Sequence, residues 1–229
     1  MFTFRNWKIW GLKKSRIFIL LFIITALVEL FFLATQKLEY RFITKSLLMP
    51  FLMLFLFFET KEQNTKLSKM VMFGLFFSFL GDVFLLKYKE EIFFLLGLGS
   101  FLICHIFYII GFSESGFLKN FNLIKSLPFL LYGIWLYVFL FPHLGKFAPT
   151  VLVYALVISV MGIVAINRKA HKNSYLLILL GAILFIFSDS IIAFDKFYHP
   201  FSLANFCIMT LYNLAQISIV LGVIKQNEK

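Results

Sequence analysis

Apolar residues in this chain gather in long runs, and the polar and charged residues fall in short stretches between them. A bilayer core of about 30 Å takes roughly 20 apolar residues wound as a helix. Runs near that length lie at residues 17–34, 42–58, 70–86, 92–112, 127–141, 149–166, 175–194 and 203–224. The pattern predicts an all-α polytopic bundle with eight transmembrane helices, a single integral membrane domain over residues 1–229. The fifth run is short, and Pro142 is expected to close it. The connections, such as K-E-Q-N-T-K at 61–66 and N-R-K-A-H-K-N at 167–173, are too short for a soluble domain. A basic stretch followed by an apolar run also suits a signal peptide. The run is long and no small-x-small cleavage site follows it, so it reads as an uncleaved first span.

Composition agrees with this pattern. Apolar types make up 61% of the 229 residues and charged types 14%, against about 45–50% and about 25% in soluble domains. That excludes an ordinary soluble domain, a disordered chain, a collagen-like fibre and a disulfide scaffold. Cys104 and Cys207 both fall inside apolar runs, where thiols act as small inert hydrophobes. The net charge of +11 sits in clusters between the runs. This is the juxtamembrane pattern, not a nucleic-acid-binding face.

The basic residues also give an orientation. With eight spans, one side collects Arg5, Lys8, Lys13, Lys14, Arg16, Lys61, Lys66, Lys69, Lys119, Lys125, Arg168, Lys169, Lys172, Lys225 and Lys229. The other side has Lys37, Arg41, Lys87, Lys89, Lys146 and Lys196. The excess places both termini in the cytoplasm, in a membrane expected to be a bacterial inner membrane.

Residues 74–82 (G-L-F-F-S-F-L-G-D) and 181–189 (G-A-I-L-F-I-F-S-D) resemble one another, each with Gly eight positions before Asp. They lie four spans apart, so they run in the same direction. Asp82 and Asp189 then sit at depths that differ by about 3 Å. A parallel four-plus-four repeat is one reading; two short chance similarities are the other.

Ionisable groups near the hydrocarbon core cost about 2.5–3.5 kcal/mol each by insertion scales, so they need a partner, a water cavity or a function. Asp82 and Asp189 are the candidate catalytic residues. Two acids in one layer can divide into proton donor and proton acceptor; alternatively, each is a structural acid bound to Ser or backbone. Ser78, one turn before Asp82, either orients the carboxylate or joins helices; Ser188 stands directly before Asp189. Glu29 either shares the acid layer or pairs with Lys45, and the ion pair is the favoured reading. His105 with Tyr108, and Tyr212 with Gln216, each share a helical face. They line a polar cavity or form interhelical hydrogen bonds. With one intramembrane His and no H-E-x-x-H, no metal site is expected. No Walker loop, G-x-S-x-G elbow or dinucleotide fingerprint is present. Of an aspartyl-protease G-x-G-D, only Gly81-Asp82 survives.

Residues 45–50 (K-S-L-L-M-P), 74–86, 97–112 (G-L-G-S-F-L-I-C-H-I-F-Y-I-I-G-F), 181–197 and 212–216 (Y-N-L-A-Q), in that order and spacing, resemble the YhhN-like family of membrane proteins, which includes the lysoplasmalogenases. The family commonly shows Lys-Pro at the start of the second span, where this chain has Lys45-Ser46. The resemblance implies an eight-span hydrolase that cleaves the vinyl-ether bond of lysoplasmalogens. The products are a fatty aldehyde and a glycerophospho-base. Asp82 and Asp189 would share the acid and base work, Lys45 would attract the lipid phosphate, and His105 would support one Asp. The expected partners are a lysophospholipid substrate and membrane lipids. No cofactor or metal is called for, and oligomeric state is left open. The competing classes are a proton-coupled transporter of small molecules or lipids, since paired intramembrane acids suit that too, and a lipid-binding protein without turnover.

Overall fold

The computed structural model describes residues 5–114 and 116–227, with side chains from residue 15 onward apart from 38, 118 and 227. Arg5, Lys8, Lys13, Lys14 and Lys229 of the orientation argument therefore lie outside the described side chains. Among the described residues there are helices and no strand. In chain order the helices are α1 (Arg5–Ala34), α2 (Arg41–Thr60), α3 (Lys66–Leu85), α4 (Glu91–Ser113), the single turn α5 (Phe117–Asn120), α6 (Leu123–Leu144), α7 (Ala148–Asn167), α8 (Lys172–Phe197) and α9 (Ala204–Asn227).

Local chemistry sets several boundaries. Thr65 caps α3, its side chain accepting from the Ser68 N–H, and Asn122 caps α6 in the same way through Lys125. A proline in the first turn opens α7, where its missing N–H has no helical acceptor to lose. Pro142 does not close α6 as expected; the helix runs on to Leu144. A proline in the last turn removes one backbone bond, which the helix survives. The stop is Gly145, whose φ of 50° and ψ of −126° only glycine adopts readily.

Among the described residues, seven segments are long and apolar enough to cross a membrane, which makes the chain an integral membrane protein. The fifth of these, Leu123–Asn167, holds both α6 and α7 and bends back at Gly145. Its two ends meet: the Asn122 N–H donates to Asn167 Oδ1 at 2.7 Å, and Asn167 Nδ2 donates to Ser126 Oγ at 2.9 Å.

The helices pair with their chain neighbours, α1 with α2, α3 with α4, α6 with α7 and α8 with α9. Helix α4 then packs on α7, and α9 reaches α1, α2 and α3. Glycines allow the closest approaches, as is usual where lipid offers no hydrophobic drive. Gly74 lies against the Tyr108 ring and Gly81 against Phe101, drawing α3 onto α4. Gly181 lies against the Ala215 carbonyl and Ile219, drawing α8 onto α9. The outer faces stay apolar and exposed, for example Ile24, Leu27, Ile134 and Val138. The interior encloses the polar groups described next.

Candidate functional site: two aspartates beside a divided cavity

Helix α3 carries Asp82 one turn from its C-terminal end, buried among three helices. The Tyr212 hydroxyl of α9 donates to Asp82 Oδ2 at 2.7 Å, and Lys45 Nζ of α2 stands 3.5 Å from Oδ1. Helix α8 carries Asp189. The Tyr154 hydroxyl of α7 donates to its Oδ2 at 2.5 Å, and His105 Nε2 of α4 lies 3.0 Å from the same oxygen. His105 Nε2 is also 3.0 Å from the Tyr154 oxygen.

The two clusters correspond. His105 lies 23 residues after Asp82 and Tyr212 lies 23 after Asp189, and each contacts the other aspartate, His105 meeting Asp189 and Tyr212 meeting Asp82. The remaining partners, Lys45 and Tyr154, come from the helix preceding each aspartate-bearing helix.

No hydrogen bond joins the two carboxyls among the described residues. Phe185 stands between the clusters, its ring centroid 4.6 Å from that of His105 and 5.5 Å from that of Tyr212. Phe101 packs on both Phe185 and Tyr212.

Of the other candidates, several form a separate layer. Ser78 does not touch Asp82: its hydroxyl donates to Cys104 Sγ at 3.0 Å and accepts from Gln216 Nε2 at 2.8 Å. The Tyr108 hydroxyl donates to Gln216 Oε1 at 2.6 Å. This chain ties α3, α4 and α9 together one turn from Asp82. Ser188 donates to the Ile208 carbonyl at 3.1 Å and joins α8 to α9. Each of these serines takes the helix-joining role.

Glu29 corrects the favoured pairing. It binds Arg41 Nε at 2.8 Å and the Thr44 hydroxyl, not Lys45. Arg41 and Thr44 stand one turn or less before Lys45 on α2. Arg41 lies at the edge of an apolar run, where hydropathy alone suggests a loop; the helix begins there instead. Tyr154 is the site residue that the sequence did not single out. It sits alone in an apolar run, and the available signal was its place 35 residues before Asp189, close to the 37 that separate Lys45 from Asp82. Among the described residues no group of His, Cys, Asp and Glu converges in a way that would hold a metal.

Two cavities open above these clusters. One is a polar vestibule at the end of the bundle, lined by Arg41, Lys45, Lys87, Lys89 and Lys196, by Glu90 and Asp195, and by Asn205. The other is an apolar cleft lined by Leu98, Phe101, Val151, Ala193 and Phe197, with Asp189 and Tyr154 in its wall. Leu85, Phe94 and Ile192 line both. Leu85 is three residues beyond Asp82 and Ile192 three beyond Asp189, so each acid shares a helical face with a residue of the junction.

A helical membrane protein with one buried and one half-buried aspartate beside a half-polar, half-apolar cavity is the class that fold and site define. The chain belongs to the YhhN family, whose model matches residues 40–223. It is 33% identical over 161 residues to lysoplasmalogenase TMEM86A of Bos taurus, an alignment covering 68% of this chain and 65% of that protein. The same figures hold for lysoplasmalogenase TMEM86A of Homo sapiens. Lysoplasmalogenase TMEM86B of Rattus norvegicus is 28% identical over 179 residues, 77% of this chain and 70% of its own length. The chain thus spans just under two thirds of the TMEM86A relatives that it matches. No solved structure matches.

Proposed function

We propose that this protein is a membrane hydrolase that cleaves the vinyl-ether bond of lysoplasmalogens. The observation that carries the reading is the junction of a cation-rich vestibule and an apolar cleft at Leu85, Phe94 and Ile192, with Asp82 and Asp189 one turn beneath it. A lysophospholipid lies there with its phosphate toward Lys45, its chain along the cleft and its vinyl ether over the junction. The names of the TMEM86 relatives support the same substrate class.

The chemistry needs a proton at the outer alkene carbon. That addition leaves an oxocarbenium ion on the carbon bonded to oxygen. Water adds there, loses its proton, and the hemiacetal falls apart to aldehyde and alcohol. Asp189 lines the cleft, and its Oδ2 is held by Tyr154 and His105. It delivers the proton through its other oxygen. Asp82, anchored by Lys45 and Tyr212, supplies the second carboxyl on the far side of the junction and takes the proton from water. Division of labour between carboxyls that do not touch follows the logic of inverting glycosidases, where a water stands between them. This scheme needs no metal or cofactor.

The same reading takes α6 and α7 as separate crossings, giving eight spans in one domain. It takes the exchange of His105 and Tyr212 between halves as the trace of a parallel four-plus-four repeat. The vestibule then opens on the non-cytoplasmic side of a bacterial inner membrane, the side poorer in Lys and Arg.

The test is aldehyde release from an alkenyl lysophospholipid by purified protein in detergent or nanodiscs. Asp82→Asn and Asp189→Asn are each expected to lower the rate at least about 100-fold, the range for loss of a general acid or base, with melting unchanged. Near-wild-type rates in both folded variants would overturn the scheme.

A further inference from the structure

Beside the vestibule lies a second recess, formed where the end of α1, the α3–α4 connection and the α8–α9 connection come together. Its walls include the rings of Tyr88, Phe201 and Phe206, and one charged residue, Asp195. Tyr88, Asp195, Pro200 and Asn205 line both spaces, so the recess is continuous with the vestibule.

Asp195 stands out by its surroundings. The vestibule wall that it shares is rich in cations, yet Asp195 is in none of the ion pairs among the described residues. The Phe201 N–H donates to its Oδ1 at 3.2 Å and fixes the carboxyl in the connection. Its neighbour Lys196 turns elsewhere, donating to the Tyr88 carbonyl at 3.5 Å with its ammonium 4.8 Å from the Phe94 ring centroid. A fixed, half-buried carboxylate with no cation of its own, set among aromatic rings, is the chemistry that holds an alkylammonium group. The vestibule beside it offers Lys45 and its neighbours to a phosphate. The order of charges from recess to junction is acid, then base, which complements ammonium followed by phosphate.

We propose that this recess is the subsite for the ammonium of a zwitterionic head group, and that Asp195 determines preference for choline- and ethanolamine-bearing lysolipids over uncharged heads. This rests on the lysophospholipid reading above but not on turnover. The test is therefore binding of non-hydrolysable alkyl-ether lysophospholipids carrying choline, ethanolamine or glycerol heads to the purified protein. Asp195→Asn keeps an acceptor for the Phe201 N–H, so the connection stays folded. It is expected to weaken binding of the choline and ethanolamine lipids by about fivefold, the range for a part-exposed charge pair, and to leave the glycerol lipid unchanged. Asp195→Glu is expected to restore most of the preference. An equal loss for all three heads, or no loss for any, would overturn the subsite. Selective loss for the amine heads stands even if the wild-type protein releases no aldehyde, so the failure of the enzyme reading is told apart from the failure of this one.

Discussion

At the scale of single residues, the ion pair beside the site makes a prediction of its own. Glu29 is fully buried and holds both Arg41 and Thr44. Breaking one partner of a buried pair leaves the other charge without compensation, at a cost of about 3 kcal/mol. Glu29→Gln should therefore lower the melting temperature clearly in a detergent thermal scan. Glu29→Leu combined with Arg41→Leu should recover most of the loss, because the pair's own net worth is small. A Glu29→Gln protein that melts with the wild type would show that Arg41 finds water at the vestibule edge. The polar residues inside the bundle were easier to pick out from the sequence than the partners they take. Asp82, Asp189, Lys45, His105 and Tyr212 were legible because a charged or polar residue inside an apolar run demands a reason. The partners were not legible, because Tyr154 looks like any aromatic in a lipid-facing run, and Glu29 lay within reach of two cations on one helix.

At the scale of elements, the close pairing of α8 with α9 depends on a missing side chain. A Cβ at Gly181 would lie 2.8 Å from the Ala215 carbonyl oxygen and 3.1 Å from the Ile219 nitrogen, both backbone atoms that cannot turn aside. Gly181→Ala is thus expected to push the helices apart and to cost about 2 kcal/mol, within the range for overpacking. Because α9 carries Tyr212, activity should fall with stability. Gly99, on α4, has open space where a Cβ would go. There the same change removes glycine's conformational freedom and should stabilise by a few tenths of a kcal/mol up to about 1 kcal/mol. Circular-dichroism melts of the two variants test the contrast, and equal effects would contradict the packing described here. Spans were readable from hydropathy because lipid accepts only long apolar helices. The pairing of helices was not, since it rests on which glycine faces which neighbour, and a run apolar on all sides does not reveal its inner face. Pro142 misled for a related reason: a proline marks a break only where the helix needs the bond that it removes.

At the scale of the whole molecule, the number of crossings decides how the two halves relate. The segment from Leu123 to Asn167 is 45 residues long. As one helix it would measure about 68 Å, roughly twice a bilayer core. Gly145 divides it, and the contacts of Asn167 with Asn122 and Ser126 bring its ends back together. Lys146 marks the tip of this hairpin and pairs with Glu91 at the start of α4 at 2.6 Å. The tip therefore lies at the same end of the bundle as the α3–α4 connection that borders the vestibule. If α6 and α7 both cross, a cysteine at Lys146 is exposed on the same side of the membrane as one at Lys89, and opposite to one at Gln63 between α2 and α3. The proposed four-plus-four count depends on this, because α6 and α7 supply two of the four spans of the second half; the meeting of the hairpin's ends leaves α3 and α8 running the same way in either case. Each single cysteine, placed in a Cys207→Ala background and probed with a membrane-impermeant maleimide on intact cells, gives a direct reading. Labelling of positions 146 and 89 with protection of 63 is the expected outcome. Labelling of 146 together with 63, and not with 89, would place the hairpin tip on the wrong side and overturn the proposed four-plus-four repeat.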